Sequence, residues 1–295
     1  MKAAPFTYHR AESVKEAVDL LDEYGDDAKI LAGGQSLVPM LVMRLTYFEN
    51  LIDISRVDEL VGIDRCADEV RISAATPHVF VGMDDEVAEA VPLLTRATPL
   101  IGHFQIRSRG TLGGAIAHAD PAAEYGAVAL ALGARMEAVS SSGTREIEAD
   151  DFFTGLWENS LEGGEMLTAV RFPVWGGRSG FAIEELARRH GDFAIAGAAV
   201  AVQLDDEDRV SRCGIGLLGL GSTPRHASTA EEAVLGRRVD DLTAADIGQL
   251  AVSGLHDIPA DLQGSARYRA KVGATMVARA WTSAIAEAKE HARNE

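Results

Sequence analysis

Two glycine-rich stretches have residue types and spacings suited to chemistry, and the chemistry is the holding of phosphate. In Leu31-Ala32-Gly33-Gly34-Gln35-Ser36-Leu37, paired glycines lacking Cβ let the backbone turn sharply and come close to a ligand. The N–H groups at the start of the following helix have no intrahelical partner and favour an anion. On this stretch alone, an ordinary Gly-Gly turn before a helix is the simpler reading. A second stretch, Gln105-Ile106-Arg107-Ser108-Arg109-Gly110-Thr111-Leu112-Gly113-Gly114-Ala115, runs on through Ala117-His118-Ala119-Asp120-Pro121-Ala122-Ala123-Glu124. Two such turns in one chain invite a joint explanation, in which both bends meet in space on one diphosphate.

The elements that must position these turns can be read from periodicity. Phe6 to His9 reads as a strand, and Ser13 with Glu16 forms a capping box for a helix that Gly25 can end. Lys29 to Ala32 is a second strand. Leu37, Met40, Leu41, Arg44 and Leu45 recur at helical spacing, with Pro39 tolerated in the first turn, and Leu51 to Ile54 is a third strand. The pattern β-α-β-α-β makes a small α/β subdomain, and a new one starts near Val57. Val70 to Ala75 alternates as a strand before an acidic helix around Glu86 to Thr95. Asp120 as N-cap with Pro121 at the first helical position predicts a helix from Pro121 to about Leu132. A hairpin about Ser142-Gly143 and a strand from Met166 to Phe172 follow, and Trp175 to Gly180 is the linker candidate. Beyond it, Phe181 to Ala187, Ala194 to Leu204 and Val210 to Leu220 predict an antiparallel meander. Helices are expected at Ser228 to Leu235, Ala244 to Ser253 and Ala266 to about Ala292.

The 295 residues are 47% hydrophobic and 25% charged, an ordinary globular composition large enough for two or three compact domains. A formal net charge of −17 disfavours generic attraction to nucleic acid or anionic lipid. Cys66 and Cys213 are the only cysteines, too few for a four-cysteine iron–sulfur centre. The N-terminus has no signal-peptide core and no apolar run is long enough to span a membrane, so a cytoplasmic location is the expectation.

Several tempting motifs lack their context. Gly214-Ile215-Gly216-Leu217-Leu218-Gly219 matches Gly-x-Gly-x-x-Gly, but no helix begins at its second glycine and Pro224 follows; glycines in a closely packed strand account for it better. Gly34-Gln35-Ser36-Leu37-Val38 lacks the last glycine of a nucleophile elbow. No His-x-x-x-His or His-Glu-x-x-His is present among the eight histidines. His118 and His190 stand beside the candidate loops, where a lone histidine is most simply a structural hydrogen-bonder.

Taken in order, Ala32-Gly33-Gly34-Gln35-Ser36-Leu37 with Met40 and Arg44-Leu45, Gln105-Ile106-Arg107 with Gly110-Thr111-Leu112-Gly113-Gly114, Ala119-Asp120-Pro121-Ala122-Ala123-Glu124, Gly191-Asp192-Phe193-Ala194, and Tyr268-Arg269 resemble the medium, FAD-binding subunit of the molybdenum hydroxylases, the xanthine dehydrogenase and aerobic carbon-monoxide dehydrogenase family. The resemblance covers nearly the whole chain. It implies an α+β, FAD-binding PCMH-type (vanillyl-alcohol-oxidase-like) fold, with an N-terminal α/β FAD subdomain over 1–56, a second FAD subdomain over 57–176, and an antiparallel sheet-and-helix domain like that of carbon-monoxide dehydrogenase flavoproteins over 177–295. By the same likeness the cofactor residues are Leu31, Ala32, Gly33, Gly34, Gln35, Ser36, Leu37, Ile101, Gly110, Thr111, Gly113, Gly114, Ala115, Ala117, Asp120, Glu124, Leu167, Asp192 and Phe193. The two loops would hold the pyrophosphate through backbone N–H groups, Glu124 would stand near the adenosine part, Leu167 would line the cofactor and Phe193 would lie beside the flavin face. Ala115 stands where relatives usually have Asn, which removes a side-chain donor, and Phe193 where some have Tyr, which keeps the aromatic ring without its hydroxyl.

The implied role is a noncovalent FAD subunit that passes electrons from iron–sulfur clusters to an external acceptor. The molybdenum cofactor would sit on a large partner subunit and the [2Fe-2S] clusters on a small one, in a dimer of heterotrimers, with no nucleic acid and no membrane span. A stand-alone FAD oxidoreductase acting on a small molecule is the alternative, although no substrate-side acid–base set is evident. A non-enzymatic assembly module would require both cradles to be ordinary turns.

Overall fold

The computed structural model describes residues 2–291. The first sheet is parallel, with strand order β1-β3-β2: β1 (Thr7–Arg10) and β2 (Ala28–Leu31) both pair with β3 (Asn50–Asp53). The helix Val14–Tyr24 joins β1 to β2. Its Ser13 hydroxyl accepts from the Glu16 amide as the sequence predicts, but the Glu16 carboxylate accepts from the Glu12 amide in place of Ser13's own. The short helix Leu37–Met43 follows β2, with Arg44 in the left-handed conformation as its C-cap.

The second sheet has the order β4-β5-β10-β6-β7, with β4 (Ile63–Arg65), β5 (Glu69–Ser73), β6 (Arg135–Ser140), β7 (Gly143–Glu148) and β10 (Met166–Pro173) all antiparallel to their neighbours. A two-stranded hairpin, β8 (Phe153–Gly155) and β9 (Glu158–Asn159), leads into β10. The acidic segment expected as one helix is two, Asp85–Ala90 and Pro92–Ala97, because Pro92 lacks an N–H and begins a new helix. The helix Glu124–Leu132 is apolar on every side after its first residue, and all nine of its residues are buried. Such a helix belongs between layers.

The third sheet is the predicted antiparallel meander, β11 (Ser179–Leu186), β12 (Ala196–Leu204) and β13 (Val210–Leu218), with β14 (Arg225–His226) added at one edge. The helices Ser228–Val234, Ala244–Val252 and Ala266–His291 follow. Small residues let backbones touch: a methyl built on Gly180 would lie 1.9 Å from the Ala284 carbonyl oxygen, and one on Gly248 2.1 Å from that of Ala274. The buried Arg269 guanidinium donates to the Ile195 carbonyl and to Asp261 (2.7 Å), tying the last helix to the start of β12. No helix among the described residues is long and apolar enough to cross a membrane.

A charge network runs across the second sheet. The buried Glu137 carboxylate accepts from Arg71 (2.7 Å to Nη2) and from Arg171, which also reaches Glu69. Burial alone would raise the Glu137 pKa, but the hydrogen bonds and charges of Arg71 and Arg171 hold it below its ordinary 4.5. The stabilisation is therefore complete above about pH 4.5 and is lost as pH falls through the lower folded-state pKa. Glu137→Ala should lower stability at pH 7 by about 2 kcal/mol, since it strands two guanidinium groups that are each only partly solvated. Denaturant melts at pH 7 and below pH 4 check this: the gap between wild type and variant should shrink in acid.

Candidate functional site

The first glycine turn leaves β2 at Leu31 and enters the helix at Leu37. Gly34 has φ +71, which a side chain would strain. The Gln35 side chain donates to the Gly33 carbonyl (3.0 Å), and the amides of Val38 and Met40 turn back to Gly34 and Ser36. The amides of Gly33, Gly34, Gln35 and Ser36 find no acceptor among the described residues. Their residues are half-buried, and Gln35 is exposed. A run of consecutive unsatisfied N–H groups at an accessible turn is an anion nest, so this stretch has the donor set a diphosphate requires.

The second turn differs from the sequence expectation. Four of the five amides from Thr111 to Ala115 are already committed, leaving that of Thr111 without an acceptor among the described residues: Leu112 donates to Thr76 O (3.0 Å), Gly113 to Ala74 O (2.9 Å), Ala115 to Thr111 O (3.0 Å), and Gly114 to the Thr111 hydroxyl (3.0 Å). Thr111 is the N-cap of the helix Leu112–His118 and bridges to Pro77, which consumes the donors that a helix start would otherwise offer. This loop contributes closeness instead. A methyl on Gly33 would lie 2.1 Å from the Arg109 carbonyl oxygen and 2.7 Å from Gly110 Cα, and one on Gly114 3.7 Å from Ala32 Cβ. The two bends, nearly eighty residues apart in sequence, are thus in backbone contact. Gly110, Thr111 and Gly113 are buried at this joint, and Ala115 is half-buried on the helix behind it.

The remaining residues fall around this pair. The Ala117 carbonyl accepts from Asn159 Nδ2 (2.7 Å), docking the β8–β9 hairpin on the second loop. Asp120 is no helix cap. Its Oδ1 accepts from the Ala122 amide (2.8 Å), closing a local turn, so the helix begins at Glu124 with Ala123 as its N-cap and not at Pro121. The other Asp120 oxygen accepts from Trp157 Nε1 (3.1 Å), and the Trp157 ring stacks on His118 at 6.3 Å. Burial pushes the His118 pKa down, with Asp120 opposing and Lys29 adding. Leu167 is buried on β10 beside its bulge, in the same apolar cluster as Leu112 and Ile116 of the helix that starts at the second turn. Asp192 and Phe193 lie on a loop pressed against Ile101-Gly102-His103: a methyl on Gly191, which has φ +83, would lie 2.8 Å from the Gly102 carbonyl oxygen. Arg107 fixes that lower segment by donating to Ile101 O (3.0 Å) and Gly102 O (2.9 Å). Phe193 is 61% exposed, so its ring faces outward from this chain. Sequence reasoning gave no role to Arg107, Trp157 or Asn159. The Gln105-Ile106-Arg107 motif pointed to the first, whereas no local pattern marked the other two.

Comparison with known proteins follows the same lines. Residues 4–175 match the family described as the FAD binding domain in molybdopterin dehydrogenase, and residues 181–284 the CO dehydrogenase flavoprotein C-terminal domain. The chain is 41% identical over 289 residues to the 6-hydroxypseudooxynicotine dehydrogenase complex subunit alpha of Paenarthrobacter nicotinovorans, covering 98% of this chain and 97% of that one. It is 37% identical to the carbon monoxide dehydrogenase medium chain of Afipia carboxidovorans, over 96% and 98% of the two chains. Among solved structures, a chain of carbon monoxide dehydrogenase from Hydrogenophaga pseudoflava superposes with a TM-score of 0.94 at 37% identity, over 97% of this chain and 99% of the other.

Proposed function

This chain belongs to the FAD-binding subunits of the molybdenum hydroxylases, and on that footing we propose that it is the electron-transfer subunit of a multi-subunit dehydrogenase, with the molybdenum cofactor on a large partner and [2Fe-2S] clusters on a small one. The observation that carries the reading is the nest of unsatisfied amides at Gly33 to Ser36 held against the backbone of Arg109 and Gly110. It fits a dinucleotide diphosphate, because the donors are uncharged, pre-positioned and reachable. FAD, when bound there, supplies redox chemistry of one- and two-electron steps that no side chain of this protein provides.

The protein's part is to hold and orient. Leu31 to Leu37 supply the donors and the apolar edges of the nest. Gly110, Thr111, Gly113, Gly114, Ala115 and Ala117 form the opposite wall, where the glycines keep the surface low. Asp120 and Glu124 would bring carboxylates to the cofactor, Ile101, Asp192 and Phe193 would flank it, and Leu167 would supply apolar support from β10. The outward-facing Phe193 ring is then available to a flavin face or a partner surface.

In this reading the units 1–56 and 177–295 hold one sheet each, and 57–176 holds the five-stranded sheet with the β8–β9 hairpin. Relatives matching almost the whole chain are named for carbon monoxide, caffeine and 6-hydroxypseudooxynicotine, chemically unrelated compounds, which suits a subunit whose substrate is chosen on another chain. A dimer of heterotrimers in the cytoplasm is the assembly we assign. The purified chain, once denatured, should release FAD near one equivalent. Colourless protein that also fails to take up added FAD would refute the proposal, and turnover of a small substrate by the isolated chain would favour the stand-alone oxidoreductase.

A further inference from the structure

Arg44 ends the helix Leu37–Met43 in the left-handed conformation (φ +58), a position that favours glycine or asparagine. An arginine there carries the steric penalty of its Cβ, and an outlier of this kind points to a use for the side chain. Yet that side chain is exposed and makes no hydrogen bond or ion pair among the described residues. Only the backbone is engaged: the Arg44 amide donates to Leu41 O (3.2 Å) and the Leu45 amide to Met40 O (2.9 Å). The surface around the guanidinium is apolar. Leu45 is 63% exposed, and Met43, Tyr47, Phe6 and Tyr8 are each between 43% and 54% exposed. Ala4 and Pro5 face Arg44, Leu45, Thr46 and Tyr47 across one groove, and the Thr7 amide donates to Glu49 O (2.7 Å), holding the two segments side by side. Strand alternation sends Phe6 and Tyr8 to the same side, and β1 is an open edge of its sheet, paired with β3 alone.

The charge of this patch is opposite to that of the chain. Residues 2–10 and 43–48 contain Lys2, Arg10 and Arg44 and no aspartate or glutamate, in a sequence with 45 acidic residues to 28 basic ones. At the rim, Asp53 accepts from the Tyr8 hydroxyl (2.5 Å) and Glu49 is exposed. Aromatic rings, Met and Leu about an arginine have the composition of an interface core, whose complement is an apolar surface with a carboxylate at its centre. A two-fold contact with a second copy would bring two Arg44 side chains into one apolar field, so the partner is a different chain. An anionic bilayer matches the sign of the patch but is repelled by a net charge of −17, and a groove beside an open strand edge suits a protein segment. One helix also ties the patch to the amide nest: Leu37 follows Ser36, and Arg44 lies seven residues on, about 10 Å along the axis. A chain seated here therefore lies close to the trough.

We propose that this patch is the seat of the cluster-bearing subunit that delivers electrons to FAD, with Arg44 pairing a carboxylate of that subunit inside an apolar ring; this rests on the reading of the chain as the FAD subunit of a dehydrogenase complex.

The test is made on the complex, co-expressed with its partner subunits and purified intact. A photo-crosslinking phenylalanine analogue at Leu45 should join this chain to the [2Fe-2S] subunit. Arg44→Gly suits the left-handed backbone, so the free chain should melt no lower than wild type and keep its FAD. Its affinity for the [2Fe-2S] subunit should nevertheless fall tenfold or more, the scale of one desolvated hydrogen bond to a charged group. Arg44→Lys, which keeps the charge without the planar fork, should fall between the two. Unimpaired stability with weakened association is a result that a merely structural arginine does not give. Association within twofold of wild type in Arg44→Gly, or a cross-link from Leu45 only to the large subunit or to a second copy, would overturn the seat while leaving the FAD site intact. So would sedimentation of the free wild-type chain with phosphatidylglycerol vesicles that Arg44→Gly abolishes, because it assigns the patch to a membrane. A wild-type chain that takes up no flavin overturns the FAD reading, and the seat with it.

Discussion

Gly33→Ala should strip the protein of FAD, leaving less than about a tenth of the wild-type content, although it adds only one methyl group. That methyl would lie 2.1 Å from the Arg109 carbonyl oxygen and 2.8 Å from the Arg109 carbonyl carbon. Both are backbone atoms and cannot rotate away, so the two loops must separate. Separation displaces the run of amides that find no acceptor among the described residues, Gly33 to Ser36, from the wall that faces it. A diphosphate held by geometry and not by a basic side chain loses most of its binding when donors move by about an ångström. Overpacking of this kind typically costs about 1–3 kcal/mol of stability as well, or a few degrees of melting temperature per kcal/mol in a chain of this size. Gly163→Ala is the control, because a methyl there meets nothing within 4 Å. Flavin absorbance per mole of folded protein, read beside a thermal melt, separates the two effects. Full flavin content in a folded Gly33→Ala protein would remove the convergent-loop account of the site.

The largest loss of stability is expected in a different place, from Gly216→Ala. A methyl on Gly216 would lie 1.9 Å from the Ala127 carbonyl oxygen, and one on Gly214 1.8 Å from that of Ala131. Strand β13 therefore lies directly on the backbone of the buried helix Glu124–Leu132, one helical turn separating the two contacts. Neither side has a flexible end to yield. The layers must part along their length, and a cost of about 3 kcal/mol or more is expected, at the upper end of overpacking effects. The apparent melting temperature should fall by roughly 6–12 °C. An unchanged melting temperature would show that these glycines are not there for packing. The same contacts explain why Gly214-Ile215-Gly216-Leu217-Leu218-Gly219 is no dinucleotide fingerprint: its first two glycines face a helix already in place, the third turns at φ +72 against the Ile195 carbonyl, and no helix begins at them.

The sequence by itself determined the order and kind of most elements, because periodicity and capping are local. Alternation and apolar runs marked the three strands of the C-terminal meander, and the last three helices followed from 3.6-residue spacing. It also determined the family, since glycine spacings and the Asp120-Pro121 turn are carried in residue identity. Where it misled, one local signal had two possible outcomes. Asp120 followed by Pro121 reads as a helix start, yet the Asp120 side chain closes its own turn on Ala122 and shares its other oxygen with Trp157, a partner 37 residues away. Only the tertiary structure decided which amides stay free. The second glycine loop has the composition of a donor nest, but Thr76 and Ala74 lie close enough to take its N–H groups, and those distances are fixed by sheet packing. The burial of Glu124 belongs to the same class. Taken singly it is an ordinary carboxylate, and its pKa rises only because the fold closes over the start of its helix and excludes the water that would otherwise keep it ionised.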